Sequence, residues 1–334
     1  MPRPSPDPRA LLRGGSRTFH AASLALPRTV RESARDLYAF CRLADDAVDG
    51  GGDPVAAICA LRARLDAVYA GTPDPADARF AGVVALCAIP RALPDALVEG
   101  FAWDARGRRY EDLDTLHAYA ARVAGSVGAM MSLVMGVRSR EALARACDLG
   151  VAMQLSNVAR DVGEDARNGR LYLPLSWLRA EGIDPDAWLA RPHHSPALAR
   201  VVQRLLGDAG RLYRRARGGI AHLPAGCRPG IGVASRLYEE IGREVARRGC
   251  DAVASRAVVS PMRKSWIAAA TLAAVPAMRR SHAQPPLVAT RFLVDAAAHE
   301  ARGPARTQGV GARLAWTLDL FLELERRDEA RRAG

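Results

Sequence analysis

An all-α architecture is expected for this chain, on three observations. Alternating β-branched runs are scarce and aromatic residues make up only 5% of the chain, so strand signals are nearly absent. Helix-compatible stretches recur along its length, separated by Pro and Gly. The 334 residues are 49% hydrophobic and 25% charged, enough to bury a sizeable core as one large domain or two ordinary ones. That balance excludes a disordered or fibrous chain.

Residues 1–12 contain Pro2, Pro4, Pro6 and Pro8 and predict a disordered tail. The first long helix is expected over Arg28–Asp49, with Leu37, Tyr38, Cys41, Leu43 and Val48 facing inward. Gly50-Gly51-Gly52-Asp53-Pro54 stops it. Val55–Tyr69 follows and closes at Gly71-Thr72-Pro73. Pro94–Trp103, Asp114–Met135, Arg140–Ala166 and Ala197–His222 carry the same signals. Beyond Cys227-Arg228-Pro229 come Ile231–Arg248 and the stretch around Lys264. Roughly ten helices thus form a single domain over about residues 13–280. Residues 281–334, which open on His282-Ala283-Gln284-Pro285-Pro286 and include Gly303-Pro304, are expected to be a C-terminal helical appendage.

Lys and Arg total 48 against 36 Asp and Glu, a net charge of +12, and the sequence pI is near 10.2. Such a pI suggests nucleic acid. Here, however, Lys264 is the only lysine, about one residue in five is Ala, and no run of five basic residues occurs. The excess of Arg follows composition rather than a binding patch, and no nucleic-acid partner is expected. The six cysteines show no CxxC pair, and the N-terminus lacks the apolar core of a signal peptide. A reducing cytoplasmic location is therefore expected. The longest apolar stretch, Trp266–Met278, lies between Arg263-Lys264 and Arg279-Arg280. It is shorter than the ~20 residues a bilayer span needs. A buried helix and a cationic, membrane-surface segment both remain open for it.

Two acidic segments carry the chemical signal. On a helix, Asp45 and Asp49 lie about 40° apart, with Arg42 about 60° from Asp45 on the same side. Like charges at i, i+4 repel. Leu43, Ala44, Ala47 and Val48 around them mark a helix that looks buried, where carboxylates need a compensating charge. In the second segment Gln154, Asn157, Asp161, Glu164 and Asp165 fall within about 60° of one axis, on a helix that also carries Met153, Leu155 and Val158. Each segment alone reads as a solvated acidic face. Together, with Arg42, Arg160 and Arg170 nearby, they share one explanation: carboxylates hold Mg²⁺, the metal holds a diphosphate, and arginines neutralise the remaining phosphate charge.

Three motifs extend this to a resemblance. Gly15-Ser16-Arg17-Thr18-Phe19 with Leu37 through Asp49, Tyr119 through Gly128, and Gln154 through Asp165 continued by Gly169-Arg170-Leu171-Tyr172-Leu173-Pro174 resemble the squalene/phytoene synthase family. The likeness spans about residues 13–275 and is greatest to the bacterial phytoene-forming members of carotenoid synthesis. It implies a single-domain isoprenoid (prenyl) synthase fold with a central cavity between helices. By resemblance, Asp45, Asp49, Asn157, Asp161 and Asp165 are ligands of Mg²⁺, with Mn²⁺ as a possible substitute. Arg42, Arg160 and Arg170 match diphosphate contacts, and Ser16, Thr18 and Phe19 a segment covering the site. Tyr38, Gln154 and Tyr238 match polar groups lining the cavity. Gly15 departs from relatives that carry His there.

The implied reaction joins two geranylgeranyl diphosphates head to head, through a cyclopropyl diphosphate, to phytoene, without NADPH. Apolar walls such as Val123-Ala124-Gly125, Val127-Gly128 and Met130-Met131 would exclude water from carbocations, although ordinary close helix packing reads the same way. The rivals are squalene, hydroxysqualene or dehydrosqualene formation from farnesyl diphosphate, and a non-catalytic assembly protein. Peripheral contact with the inner membrane face is expected, since substrate and product are lipids. His20, His117, His193, His194 and His222 follow no ligand spacing and read as surface or packing residues.

Overall fold

A computed structural model describes residues 26–49, 52–277 and 284–299. Within them the secondary structure is helical, with no strand. In chain order the helices are α1 (Arg28–Asp49), α2 (Pro54–Ala70), α3 (Ala78–Cys87), α4 (Ala92–Ala105), α5 (Leu113–Ala120), α6 (Ser126–Val134) and α7 (Arg140–Arg167). After them come α8 (Leu175–Ala180), α9 (Pro185–Ala190), α10 (Pro196–Ile220), α11 (Arg228–Arg247), α12 (Pro261–Ala274) and α13 (Arg291–His299).

Local chemistry sets these ends. Asp53, Asp184, Ser195 and Ser260 accept hydrogen bonds from the first turns of α2, α9, α10 and α12, each followed directly by proline. That pairing satisfies an orphan backbone donor and pre-sets the first φ, and a good N-cap stabilises a helix by about 1 kcal/mol. The stretch expected as one helix over Asp114–Met135 is instead α5 and α6 joined by a π turn at Ala121–Gly125. α3, α8, α9 and α13, six to ten residues each, had no periodic signal long enough to read.

Helix α7 is the axis of the molecule. Leu143, Cys147, Val151, Leu155 and Ala159 along it are fully buried. The π turn, α6, α10, α11 and α13 all pack on it. A Cβ at Gly128 would strike the carbonyl of Ala146, and one at Gly150 the carbonyl of Ala124. These two glycines therefore let α6 and α7 lie backbone to backbone, and they show that the two run antiparallel. Tyr213 on α10 hydrogen-bonds Ser156 on α7 at 3.1 Å, while Gly219 abuts Arg145. Helix α10 is thus antiparallel to α7 as well.

Residues 284–299, expected within the C-terminal appendage, pack on the helices that precede them, and residues 301–334 lie outside the described residues. Leu293, Val294 and Ala297 of α13 are fully buried, and Asp295 pairs with Arg140 at 2.5 Å. The expected tail at 1–12 also lies outside the described residues. All six cysteines are free thiols. His117 packs in the interior, its Nε2 2.6 Å from Asp208.

Candidate active site

A cavity of about 290 Å³ runs beside α7. Its α7 wall is the stripe Ala142, Arg145, Ala146, Leu149, Gly150, Met153, Gln154 and Asn157. The stripe covers about 22 Å at the helical rise. Helix α1 contributes Ala34, Leu37, Tyr38 and Cys41, and α11 contributes Ile231, Ala234 and Tyr238. Val123, Ala124, Val127, Gly128 and Met131 complete one side. Met130 faces the core instead, fully buried. Polarity is graded along the length. Tyr38, Gln154, Asn157 and Tyr238 stand at one end. Because α6 and α10 are antiparallel to α7, Met135 and Leu223 stand with Ala142 at the other.

Both acidic segments begin one helical turn beyond the polar end, since Asp45 follows Cys41 by four residues and Asp161 follows Asn157 by four. On α1 the guanidinium of Arg42 lies 3.2 Å from Asp45 and 2.6 Å from Asp46. The side chain of Asp49 lies outside the described residues. On α7, Arg160 grips Asp161 with both arms, Nε to Oδ1 at 2.7 Å and Nη2 to Oδ2 at 2.5 Å. Arg256, from the loop after α11, holds the same carboxylate at 2.6 and 3.1 Å and reaches Glu164 at 3.3 Å. Asn157 donates to Gln154 at 3.4 Å.

Asp165 is the electrostatic outlier. Burial and the neighbouring Asp161 charge, opposed by Arg170, push its carboxyl up to about 7. Asp104 of α4 adds to the same negative field, with its own carboxylate accepting from Tyr119 at 2.7 Å and Tyr172 at 2.8 Å. The ring of Tyr172 stacks with those of Tyr110 and Tyr119, at 6.1 and 5.2 Å between centroids, while Tyr110 and Tyr119 meet tilted at 5.1 Å. A carboxyl held up by other carboxylates is one that a cation would bring down.

The donors present are carboxylate and amide oxygens, suited to a hard divalent cation. Among the described residues no three acidic, histidine or cysteine side chains converge as a ready-made cage.

The structure brings Tyr38, Gln154, Asn157 and Tyr238 to one cavity and puts Asp45, Asp161 and Asp165 on the helices that wall it. Arg42 and Arg160 lie on the carboxylates, and Arg170 acts on Asp165. Ser16, Thr18 and Phe19 lie outside the described residues. Sequence reading missed Arg256 and Asp104. Neither shares a helix with the acidic motifs, and one arginine in an arginine-rich chain carries no spacing signal.

Comparison with known proteins agrees with this geometry. The squalene/phytoene synthase profile matches residues 12–264. The chain is 52% identical over 312 residues to a phytoene synthase of Rhodobacter capsulatus, spanning 90% of this chain and 91% of that one. It is 42% identical over 261 residues to a 15-cis-phytoene synthase of a Paracoccus species, spanning 75% and 84%. A solved dehydrosqualene synthase superposes with a TM-score of 0.74 at 26% identity, covering 81% of this chain and 95% of that one. A squalene synthase from Alicyclobacillus acidocaldarius superposes with a TM-score of 0.67 at 27% identity, covering 72% and 92%. An all-helical cavity with an acidic, arginine-flanked mouth, matched over most of its length, places the chain in one group: it belongs to the squalene/phytoene synthase family.

Proposed function

We propose that this prenyl-transferring enzyme joins two geranylgeranyl diphosphates head to head into phytoene, releasing two diphosphates, the first committed step of carotenoid synthesis. Relatives at 52% and 50% identity are phytoene synthases, whereas the solved squalene and dehydrosqualene synthases stand at 26–27%. The observation that carries the reading is the graded cavity, apolar along its length with its acidic segments at one end.

In the first half-reaction the C1–O bond of one substrate breaks and its electron pair leaves with the diphosphate. The double bond of the second substrate attacks C1, a proton departs, and the cyclopropane of prephytoene diphosphate closes. In the second half-reaction the remaining diphosphate leaves, the ring carbons rearrange, and loss of another proton gives the hydrocarbon. No hydride donor enters. Asp45, Asp49, Asn157, Asp161 and Asp165 would hold Mg²⁺, which would supply the positive charge that makes diphosphate a leaving group.

The chain's own residues do the rest by exchanging partners. Arg160 and Arg256 occupy both oxygens of Asp161. An incoming diphosphate competes for those guanidiniums, with Arg42 and Arg170 as its further contacts, and frees the carboxylate for a cation. Tyr38, Gln154 and Tyr238 orient the polar end of the substrate. Val123, Ala124, Val127, Gly128 and Met131 exclude water that would trap a carbocation as an alcohol.

The reading includes contact with an anionic bilayer, where substrate and product reside. Met262 and Trp266 on α12 are 84% and 61% exposed, and Arg263 and Lys264 lie between them. Only Ile267 and Thr271 of that helix are buried. Shallow insertion of such a face, with cations at the headgroups, suits a peripheral enzyme. No described helix is long and apolar enough to cross a membrane.

Purified protein given geranylgeranyl diphosphate and Mg²⁺ without NADPH is expected to yield a C40 hydrocarbon. Product formed only with NADPH, or only from farnesyl diphosphate, overturns the proposal.

A further inference from the structure

A buried charge cluster lies at the apolar end of the cavity, remote from the chemistry above. Arg145 is 1% exposed, Asp148 is 0% exposed, and Arg145 lines the cavity wall. Its Nε is 3.0 Å from Asp148. Arg215 of α10 approaches the same carboxylate at 3.1 Å. Both arginines then reach a segment far along the chain. Arg145 Nη2 donates to the carbonyls of Gln284 and Pro285 at 3.2 Å each, and Arg215 Nη2 donates to Pro285 at 2.8 Å.

Stability alone does not explain this arginine. Charges without water need full compensation, and a hydrophobic side chain of similar size is commonly as good or better in such a place. Among the described residues neither Nε nor Nη1 of Arg145 makes a hydrogen bond, so its tie to Asp148 is an ion pair and its hydrogen bonds go to the two carbonyls. What the residue does achieve is positional. It stands twelve residues before Asn157, about 18 Å along α7 from the polar end. Gly219 presses so closely on it that a Cβ there would collide with the Arg145 Cβ. Met135, Ala142 and Leu223 close round the same end.

We propose that Arg145, fixed by Asp148 and clamped with Arg215 onto the 284–285 carbonyls, closes the apolar end of the cavity and so limits the length of prenyl chain the enzyme accepts. This rests on the prenyl-coupling function above. A leucine or methionine at that point could turn aside for a longer chain, at the modest cost of a rotamer change. A guanidinium tied to a buried carboxylate and two carbonyls cannot, because displacing it uncouples a buried charge. The chain terminus of an all-trans prenyl diphosphate meets a fixed wall there.

The test measures kcat/KM on all-trans C15, C20 and C25 diphosphates, with product length read by mass spectrometry. The wild-type enzyme is expected to favour C20 over C25 by roughly tenfold or more, the discrimination that overpacking a closed cavity produces. Arg145→Ala and Arg145→Met should bring the two rates within about threefold. Arg215→Gln releases one clamp without altering a cavity-lining residue and should shift the ratio in the same direction by less. A merely structural role for Arg145 would lower melting temperature and activity on every chain length together. A C25-to-C20 ratio unchanged in the folded Arg145 variants overturns the proposal. If those variants do not fold, an unchanged ratio in Arg215→Gln overturns it. Wild-type turnover of C15 but not C20 would refute the phytoene reading instead, and the C20-to-C15 ratio would then test Arg145 in the same way.

Discussion

Replacing Arg256 by Gln separates the two partners proposed for the acidic mouth, a metal and a diphosphate. Arg256 makes a bidentate contact with Asp161 and also reaches Glu164. Around it stand the carboxylates of Asp161, Glu164 and Asp165 and the guanidiniums of Arg160 and Arg170. Removing one cation leaves the cluster one charge more negative, which favours a metal and disfavours a diphosphate. A hydrogen bond to a charged group contributes about 1.5–3 kcal/mol. The Arg256 side chain is 49% exposed, so screening puts its effect near the lower end, about tenfold in affinity. KM for geranylgeranyl diphosphate should rise about tenfold, kcat should change less, and the Mg²⁺ concentration for half-maximal rate should stay level or fall. Steady-state kinetics at varied substrate and varied Mg²⁺ resolve these effects. An unchanged KM with a lowered melting temperature would show that Arg256 only braces Asp161, and the exchange of partners would then be wrong.

The carboxylates themselves should behave differently. Asp161→Asn and Asp45→Asn are expected to lower kcat by about 100-fold or more while circular dichroism stays native, and activity within tenfold of wild type would remove either residue from the metal role. Leu293→Ala opens a void where α13 docks on the core. It should cost about 2–5 kcal/mol and lower the melting temperature by several degrees, so an unchanged melting curve would detach residues 284–299 from the folded unit. Glu240, buried at the junction of α11 and α12, is opposed by desolvation but held low overall by its hydrogen bonds to Arg247 and Arg263. A carboxyl lowered by folding stabilises the protein above its unfolded value and loses that effect as pH falls through the folded one. Glu240→Gln should therefore melt below wild type at pH 7, with the gap closing below about pH 4. A gap that persists in acid would rule out the charge as its source.

Helices α1 and α7 were legible to within a residue at each end because proline, glycine and capping residues bound long periodic runs. The acidic mouth was legible for a different reason. Carboxylates at i, i+4 amid Leu, Val and Ala conflict with burial unless something compensates them, and that conflict is written in a single stretch of chain. Helix α13 carried no such signal: Leu293, Val294 and Ala297 are buried because α7, α6 and α4 lie beside them. The stretch at Trp266 was ambiguous for a similar reason, since an apolar run does not say which face meets a neighbour.

One rule, that a charge taken out of water must be compensated, applies to Asp161 at one end of the cavity and to Asp148 at the other, while Asp45 stays 41% exposed, yet only one end was readable in sequence. At the polar end the compensators are side chains, and several of them (Arg42, Arg160, Arg170) lie within a few residues of the carboxylates they serve. At the apolar end Arg145 and Asp148 look like an ordinary i, i+3 pair on a helix. What distinguishes them is their partners, two backbone carbonyls 139 and 140 residues away. Carbonyls are present at every residue, so no residue type or spacing marks the two that matter. The mouth proposed to perform the chemistry is therefore specified by local sequence, whereas the wall proposed to measure chain length is specified by where the chain returns at residues 284–285. A sequence that kept every acidic and basic residue of the mouth but altered that return would keep the reaction and change its substrate.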